Sequence, residues 1–493
     1  MTRPSKTLAD LGLRAAGGRD LAVRGLTADS REVAPGFLFA ALPGSAQHGA
    51  TFAGTALARG AGAILTDAEG ARIAAAHLAG SDVALVVAED PRAALAAAAA
   101  LWFGAQPETM VAVTGTNGKT SVASFCRQIW IALGRKAVNL GTTGIEGAWT
   151  YPLRHTTPDP VTLHRALAEA RDAGVTHCAM EASSHGLDQR RLDGVMLAAG
   201  GFTNFTQDHL DYHLTMAGYF RAKMGLFHRV LPDEAVAVVN LDDPKGPAVA
   251  DIAQERGMEV IGVGAREGAR LRLLGQRFDA TGQELRFDWQ GQAQMVRLDL
   301  IGGFQAANVL MAAGLVIAAG ESPEEVFAAL PSLVTVRGRM QHAATRENGA
   351  TVFVDYAHTP DAVATALKAL RPHVLGRIVA IVGAGGDRDR GKRPLMGAAA
   401  AENADTVIVT DDNPRSESPA GIRAAVMQGA PDAMEVGDRA EAILRGVDLL
   451  GPGDALLICG KGHETGQIVG DAVLPFDDVE QASVAVAALE GRV

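Results

Sequence analysis

At 493 residues the chain is too long for one compact core and implies two to four domains. Hydrophobic residues at 48% and charged residues at 20% are ordinary globular values, and abundant alanine with only 5% aromatics favours an α/β protein with Ala-rich helices. The net charge of −11 argues against a nonspecific nucleic-acid binder, while leaving room for local basic pockets that hold anions.

In chain order, the opening MTRPSKTLADLGLR lacks the apolar centre of an export leader, and LAAAAALWF is too short to span a bilayer. Residues 1–105 alternate strand-like runs (GFLFAAL, GAILT, VALVVA) with Ala-rich helical runs, as a small α/β unit would. From 106 to 336, MVAVTG, THCAME, AAGGFTNF and AVAVVN are buried-strand candidates separated by helical segments, the alternation of a mostly parallel sheet. ARLRLLG, QELRFDW and AQMVRLDL then alternate polar and apolar residues, which predicts a small antiparallel insert, and a helix follows in FQAANVLMAAGLVIAAG. VRGRMQHAAT marks a boundary. A third α/β unit, 337–493, carries TVFVDY, RIVAIVGAGG, DTVIVTDD and ALLICGKG. Cys126, Cys178 and Cys459 are scattered among apolar neighbours, as reduced core thiols of a cytoplasmic protein would be. With no obvious association segment, a monomer is expected, without membrane or nucleic-acid partners.

VAVTGTNGKTSVASF, residues 111–125, carries the first chemistry. Gly115, Thr116, Asn117, Gly118 and Lys119 would curl the backbone so that successive N–H groups converge on phosphate oxygens, with a helix start near Thr120 adding its dipole. Lys119 suits the β- and γ-phosphates and the Thr120 hydroxyl suits Mg²⁺. A plain Gly-Asn turn would not need the Lys-Thr-Ser that follows. Only two residues separate the glycines, where the common loop has four. Glu181, at the end of THCAME, is the carboxylate such a site needs from a neighbouring strand. GFTNFTQDHLDYH adds Asp208, His209, Asp211 and His213, with the two histidines one helical turn apart. The helix-borne glutamate of a zinc protease is missing, so one histidine is expected beside a metal or phosphate, and zinc is not.

In MAGYFRAKMGLF, helical spacing sets Lys223 with Tyr219, Phe220 and Phe227 on one face. A lone lysine there commonly snorkels to water. The sharper expectation is a desolvated, neutral amine that CO₂ carbamylates, giving a negative group able to hold a second Mg²⁺.

GTNGKTS, MEASSHG, TNFTQDHLDYH, YFRAKMGLF, VDYAHTPD, GGDRDRGKRPLMG, TDDNPR and GKGHE occur in that order, and together they resemble the Mur ligases of peptidoglycan synthesis. The resemblance covers essentially the whole chain and is closest to the diaminopimelate-adding members. It implies three domains: an N-terminal one for a UDP-sugar, a central P-loop ATPase, and a C-terminal Rossmann-like one for the incoming amino acid. It also implies ATP-driven formation of an acyl phosphate on the D-glutamyl carboxylate of UDP-N-acetylmuramoyl-L-alanyl-D-glutamate, followed by attack of the amine of meso-2,6-diaminopimelate.

By the same resemblance Ser121 belongs with the nucleotide loop. Thr120 and Glu181 would hold one Mg²⁺, and Glu181, His209 and carbamylated Lys223 another. Asn308, Arg339, Asp355 and His358 match positions that contact or orient ATP. Ser30, Ser45, Ala46, Gln47, Thr156, Thr157, Ser183, Gln189 and Arg191 would take the UDP-sugar peptide. TDDNPR alone could be an Asx-Pro turn. Beside the other motifs, Asp412, Asn413, Pro414 and Arg415 resemble the diaminopimelate signature, in which Arg415 grips a carboxylate that lysine lacks. Arg388, Gly460 and Glu464 complete that implied pocket, with Glu464 suited to an ammonium group. IVGAGGDRDRG has arginine where a dinucleotide fingerprint has its third glycine, which counts against NAD. Gln305, Gln341 and His155 depart from the usual pattern at single adenine or sugar-peptide contacts.

Overall fold

The computed structural model describes residues 5–44, 47–153 and 155–492. Its short, uninterrupted apolar runs become strands buried on both faces, which is why they read as continuous rather than alternating. Leu26–Thr27, Leu38–Ala40, Ala63–Thr66 and Ala84–Val87 make a four-stranded parallel sheet near the N-terminus. Its helix Pro91–Phe103 starts with the Asp90 carboxylate accepting from Ala93 N–H, and Gly104 ends it at φ 66°.

The central sheet has ten strands, with Thr109–Thr114 in its interior. His177–Glu181 lies parallel on one side of that strand and Ala199–Phe202 on the other. Ala137–Gly141, Val236–Asn240 and Glu259–Gly264 continue the parallel arrangement outward. The expected antiparallel segments, Leu271–Asp279, Gly282–Trp289 and Gln292–Leu298, extend one edge of this sheet rather than standing apart from it. Phe304–Ala318 is apolar nearly all round because it is sandwiched in the core. It packs against the helix Lys119–Ala132, so that Asn308 faces the phosphate-type loop.

The third sheet runs in the order Gln341–Thr345, Thr351–Asp355, Ala455–Cys459, Ile378–Val382, Thr406–Val409 and Met434–Glu435. All neighbours are parallel except the first pair. VRGRMQHAAT therefore ends inside this sheet, with residues 333–340 linking the turn Leu330–Ser332 to its first strand. A small hairpin, Gly466–Val469 with Ala472–Pro475, stands beside the sheet. Arg439 and Asp478 form a fully buried, bidentate ion pair beneath it. Among the described residues no helix is long and apolar enough to cross a membrane.

Candidate active site

The loop Gly115–Gly118 leaves the carboxyl end of an interior strand, the place where parallel sheets leave a crevice for ligands. Gly115 and Gly118 have φ of 144° and 87°, and a Cβ on Gly118 would lie 2.6 Å from Asn308 Oδ1. Glycine is required at both. No side chain caps the helix Lys119–Ala132, so its first N–H groups are left to a ligand. The loop is braced from the next strand: Asn204 Oδ1 accepts from Asn117 N–H at 2.8 Å, and the Thr203 hydroxyl donates to Asn117 O at 2.6 Å. Lys119 folds back, donating to the Gly115 and Thr116 carbonyls at 2.9 and 2.7 Å, and burial lowers its pKa.

Glu181 pairs in register with Val113 and is 2% exposed. Its carboxylate accepts from the Thr120 hydroxyl at 3.0 Å and from Thr142 N–H at 2.8 Å. Arg339 donates to the Thr120 hydroxyl at 3.3 Å, with its guanidinium 4.6 Å from the Tyr356 ring centre. These groups line a cavity of about 450 Å³ together with Ser121, Asn308, Asp355, His358, Thr156 and Ser183. Asp355 accepts from Met340 and Ala357 N–H, and burial raises its pKa. Burial likewise lowers His358.

Lys223 does not snorkel. It is 1% exposed, donates to Gly115 O at 2.6 Å and lies 4.5 Å from the Tyr219 ring centre. Burial first, and Lys119 second, hold its pKa well below the usual lysine value. The helix Met216–Gly225 buries Tyr219 with Lys223 and runs on into a π-helical turn over Leu226–Val230, in which Phe227 is also buried. His209 and His213 are one turn apart, His213 N–H donating to His209 O at 3.0 Å, and both rings pack on His185 and Tyr219. His209 precedes the four-residue helix Leu210–His213 with φ 51°. Its ring lines the cavity beside Asp208, and burial brings its pKa to about 4.

A second cavity of about 840 Å³ adjoins the first, sharing Asp208, His209, Tyr356, His358, Thr359 and Asp361 with it. Its far wall comes from carboxyl ends of the third sheet: Arg388, Asp412, Asn413, Arg415, Gly460 and Glu464 all line it. Pro414 is buried behind them. Arg415, at φ 52°, donates to Gly386 O at 2.8 Å. The Asn413 amide donates to Glu464 Oε2 at 2.8 Å, and burial raises the Glu464 pKa.

The expected sugar-peptide residues are dispersed. Thr156 and Ser183 line the smaller cavity, and Thr157 is buried, donating to Glu181 O. Gln189 and Arg191 are tied to each other and to Tyr212 and Thr157 O. Ser30 and Gln47 lie on the N-terminal unit and line neither cavity. Ser45 and Ala46 fall outside the described residues.

Gln305 accepts from the Asn308 amide at 3.2 Å. Gln341 accepts from Gly338 N–H at 2.8 Å. Among the described residues no group of three His, Cys, Asp or Glu side chains is arranged to hold a metal. Sequence reasoning overlooked Lys392, which lines the larger cavity and donates to His358 O at 3.0 Å, and the buried Lys461. Both stand inside motifs already quoted, and the signal was a lysine directly after a glycine, Gly391 at a helix start and Gly460 at a strand end.

Three family models match in order: the Mur ligase family catalytic domain over residues 22–103, the Mur ligase middle domain over 113–316, and the Mur ligase glutamate ligase domain over 338–462. The chain is 51% identical to the UDP-N-acetylmuramoyl-L-alanyl-D-glutamate–2,6-diaminopimelate ligase of Caulobacter vibrioides, covering 99% of each chain. A solved structure of a ligase of the same name is 32% identical with a TM-score of 0.70, covering 99% of this chain and 100% of that one. The MurF ligase of Thermotoga maritima, solved in complex with ADP, shares the fold at 19% identity and a TM-score of 0.62, over 98% of this chain and 100% of that one. With a nucleotide-type loop and an acid- and arginine-lined chamber facing each other across two sheets, and with relatives matching from end to end, this chain belongs to the Mur ligase family.

Proposed function

We propose that the chain is an ATP-dependent amide ligase that adds meso-2,6-diaminopimelate to UDP-N-acetylmuramoyl-L-alanyl-D-glutamate, yielding ADP and phosphate, in peptidoglycan precursor synthesis. The observation that carries this reading is the pair of adjoining cavities, one built on the phosphate-type loop and one on Asp412–Arg415 and Glu464. A carboxylate does not condense with an amine in water, because oxide is too poor a leaving group. Phosphoryl transfer from ATP to the D-glutamyl γ-carboxylate gives an acyl phosphate. The amine, held in the larger cavity, then attacks the acyl carbon and phosphate departs.

Positioning and charge neutralisation account for most of the rate. Lys119 swings from the Gly115 and Thr116 carbonyls to the phosphates, and Asn308, Arg339, Asp355 and His358 frame the nucleotide. Thr156, Thr157, Ser183, Gln189 and Arg191 take the sugar peptide together with Ser30, Ser45, Ala46 and Gln47 of the N-terminal segment.

Thr120, Glu181 and His209, with Lys223 as a carbamate, are the residues we assign to Mg²⁺. Hydroxyl and carboxylate oxygens are the donors a hard cation takes. The cavity also holds Ser184 and Thr206 hydroxyls without a hydrogen-bond partner. Bound there, Mg²⁺ supplies charge neutralisation for the migrating phosphoryl group. The depressed pKa of Lys223 leaves a neutral amine able to add to CO₂, releasing one proton and gaining a negative group. The reading includes a cytoplasmic monomer, in keeping with three buried free thiols.

ADP formation measured with the sugar dipeptide and meso-diaminopimelate, L-lysine or no amine tests it. Release should require both substrates and favour diaminopimelate, and ¹⁸O should pass from the glutamyl carboxylate into phosphate. ADP release indifferent to both substrates would overturn the reading.

A further inference from the structure

Lys461 is 0% exposed and does not line the larger cavity, yet it sits beneath the groups that do. Its Nζ donates to Asn413 Oδ1 at 2.8 Å and to Gly466 O at 2.8 Å, with Asp412 Oδ1 at 4.0 Å. An ammonium group only donates, so it fixes which end of the Asn413 amide faces it. Ile468 N–H donates to the same oxygen at 3.0 Å. The Asn413 NH₂ is thereby directed at Glu464 Oε2.

The second contact, Gly466 O, anchors the root of the hairpin Gly466–Val469 and Ala472–Pro475. That hairpin clasps Arg415: Arg415 N–H donates to Ile468 O at 3.0 Å, and Gly470 N–H donates to Arg415 O at 2.8 Å. The clasp holds Arg415 at a positive φ that a non-glycine residue rarely adopts. One buried cation is therefore linked to both an acid and an arginine of opposite charge on the cavity wall.

We propose that Lys461 is a positioning residue for acceptor selection, setting the separation and orientation of Glu464 and Arg415. This rests on the ligase reading above. An acceptor with an ammonium and a carboxylate at its far end must satisfy both groups at once, whereas lysine offers only the ammonium. Loosening the pair therefore penalises diaminopimelate more than lysine.

The test is steady-state kinetics of full-length Lys461→Met, varying ATP, sugar dipeptide and amine in turn. KM for meso-diaminopimelate should rise roughly tenfold or more, and its preference over L-lysine should fall by a similar factor, with the other two KM values within about twofold. The acid limb of kcat/KM for the amine should move to higher pH, because Glu464 loses the fixed amide and the nearby ammonium charge that favour its charged form. An unchanged amine KM and preference in a folded variant would overturn the proposal, as would an equal loss for all three substrates. If Lys461→Met does not fold, Lys461→Gln, which keeps an amide donor but loses the charge, carries the same expectations. Failure of both to fold would assign the lysine to stability alone and also overturn it. Wild-type enzyme inactive with diaminopimelate would instead sink the ligase reading.

Discussion

A lysine as deeply buried as Lys223, with a carbonyl and a ring as its neighbours, costs stability that an apolar residue of similar length would not. Lys223→Met is expected to unfold at equal or higher urea concentration than wild type while losing at least about a hundredfold in kcat, and bicarbonate should no longer matter. Turnover near wild type would refute a role for that amine. Arg439 is the opposite case, since its guanidinium meets both oxygens of Asp478 and also the Cys459 and Asp411 carbonyls. Arg439→Met alone should lose about 3–5 kcal/mol in urea unfolding, by stranding a buried carboxylate. Arg439→Met with Asp478→Leu should recover most of that loss. If the double variant is no better than the single, the ion pair is not what the fold depends on there.

At the scale of elements, the phosphate-type loop works by conformation before it works by charge. Gly118→Ala forces a side chain into φ 87° and against Asn308. The strain is worth about 1–3 kcal/mol, and KM for ATP should rise more than tenfold with KM for the amine unmoved. Strands such as Thr109–Thr114 and Ile378–Val382 were legible because burial on both faces leaves an uninterrupted apolar run. The two-residue strands Lys6–Thr7 and Ala22–Val23 are too short to show any period. The hairpin that clasps Arg415 did carry a signal, Gly470-Asp471 as a two-residue turn, but its largely exposed strands lack the polar-apolar alternation that marks a half-buried one. The π-helical turn after Lys223 left no trace, since LFHRV suits an α-helix equally well.

Across the whole molecule, the third sheet is fastened to the central one by contacts between residues far apart in sequence, which no local pattern reports. Asn117 donates to Asp361, and His373 bridges the two units. Gly302 N–H donates to His373 Nε2 at 3.0 Å, so the proton sits on Nδ1 and is donated to Asp279 O at 2.6 Å. This arrangement needs a neutral ring, and burial lowers the His373 pKa below its ordinary 6.5. A depressed pKa means that the unfolded chain takes up the proton first. The contribution is present above pH 6.5 and is lost progressively as pH falls from there toward the folded value. His373→Gln should flatten the fall in urea stability between pH 7.5 and 5.5, and an identical slope would exclude the latch. The motifs named the chemical groups, but their assembly into one chamber came from packing between residues far apart in sequence. Because Asp208 and His209 from one sheet and Tyr356 and His358 from the other wall the same space, neither body by itself encloses the activated acid. A chamber walled from both bodies guards the mixed anhydride against loss to water.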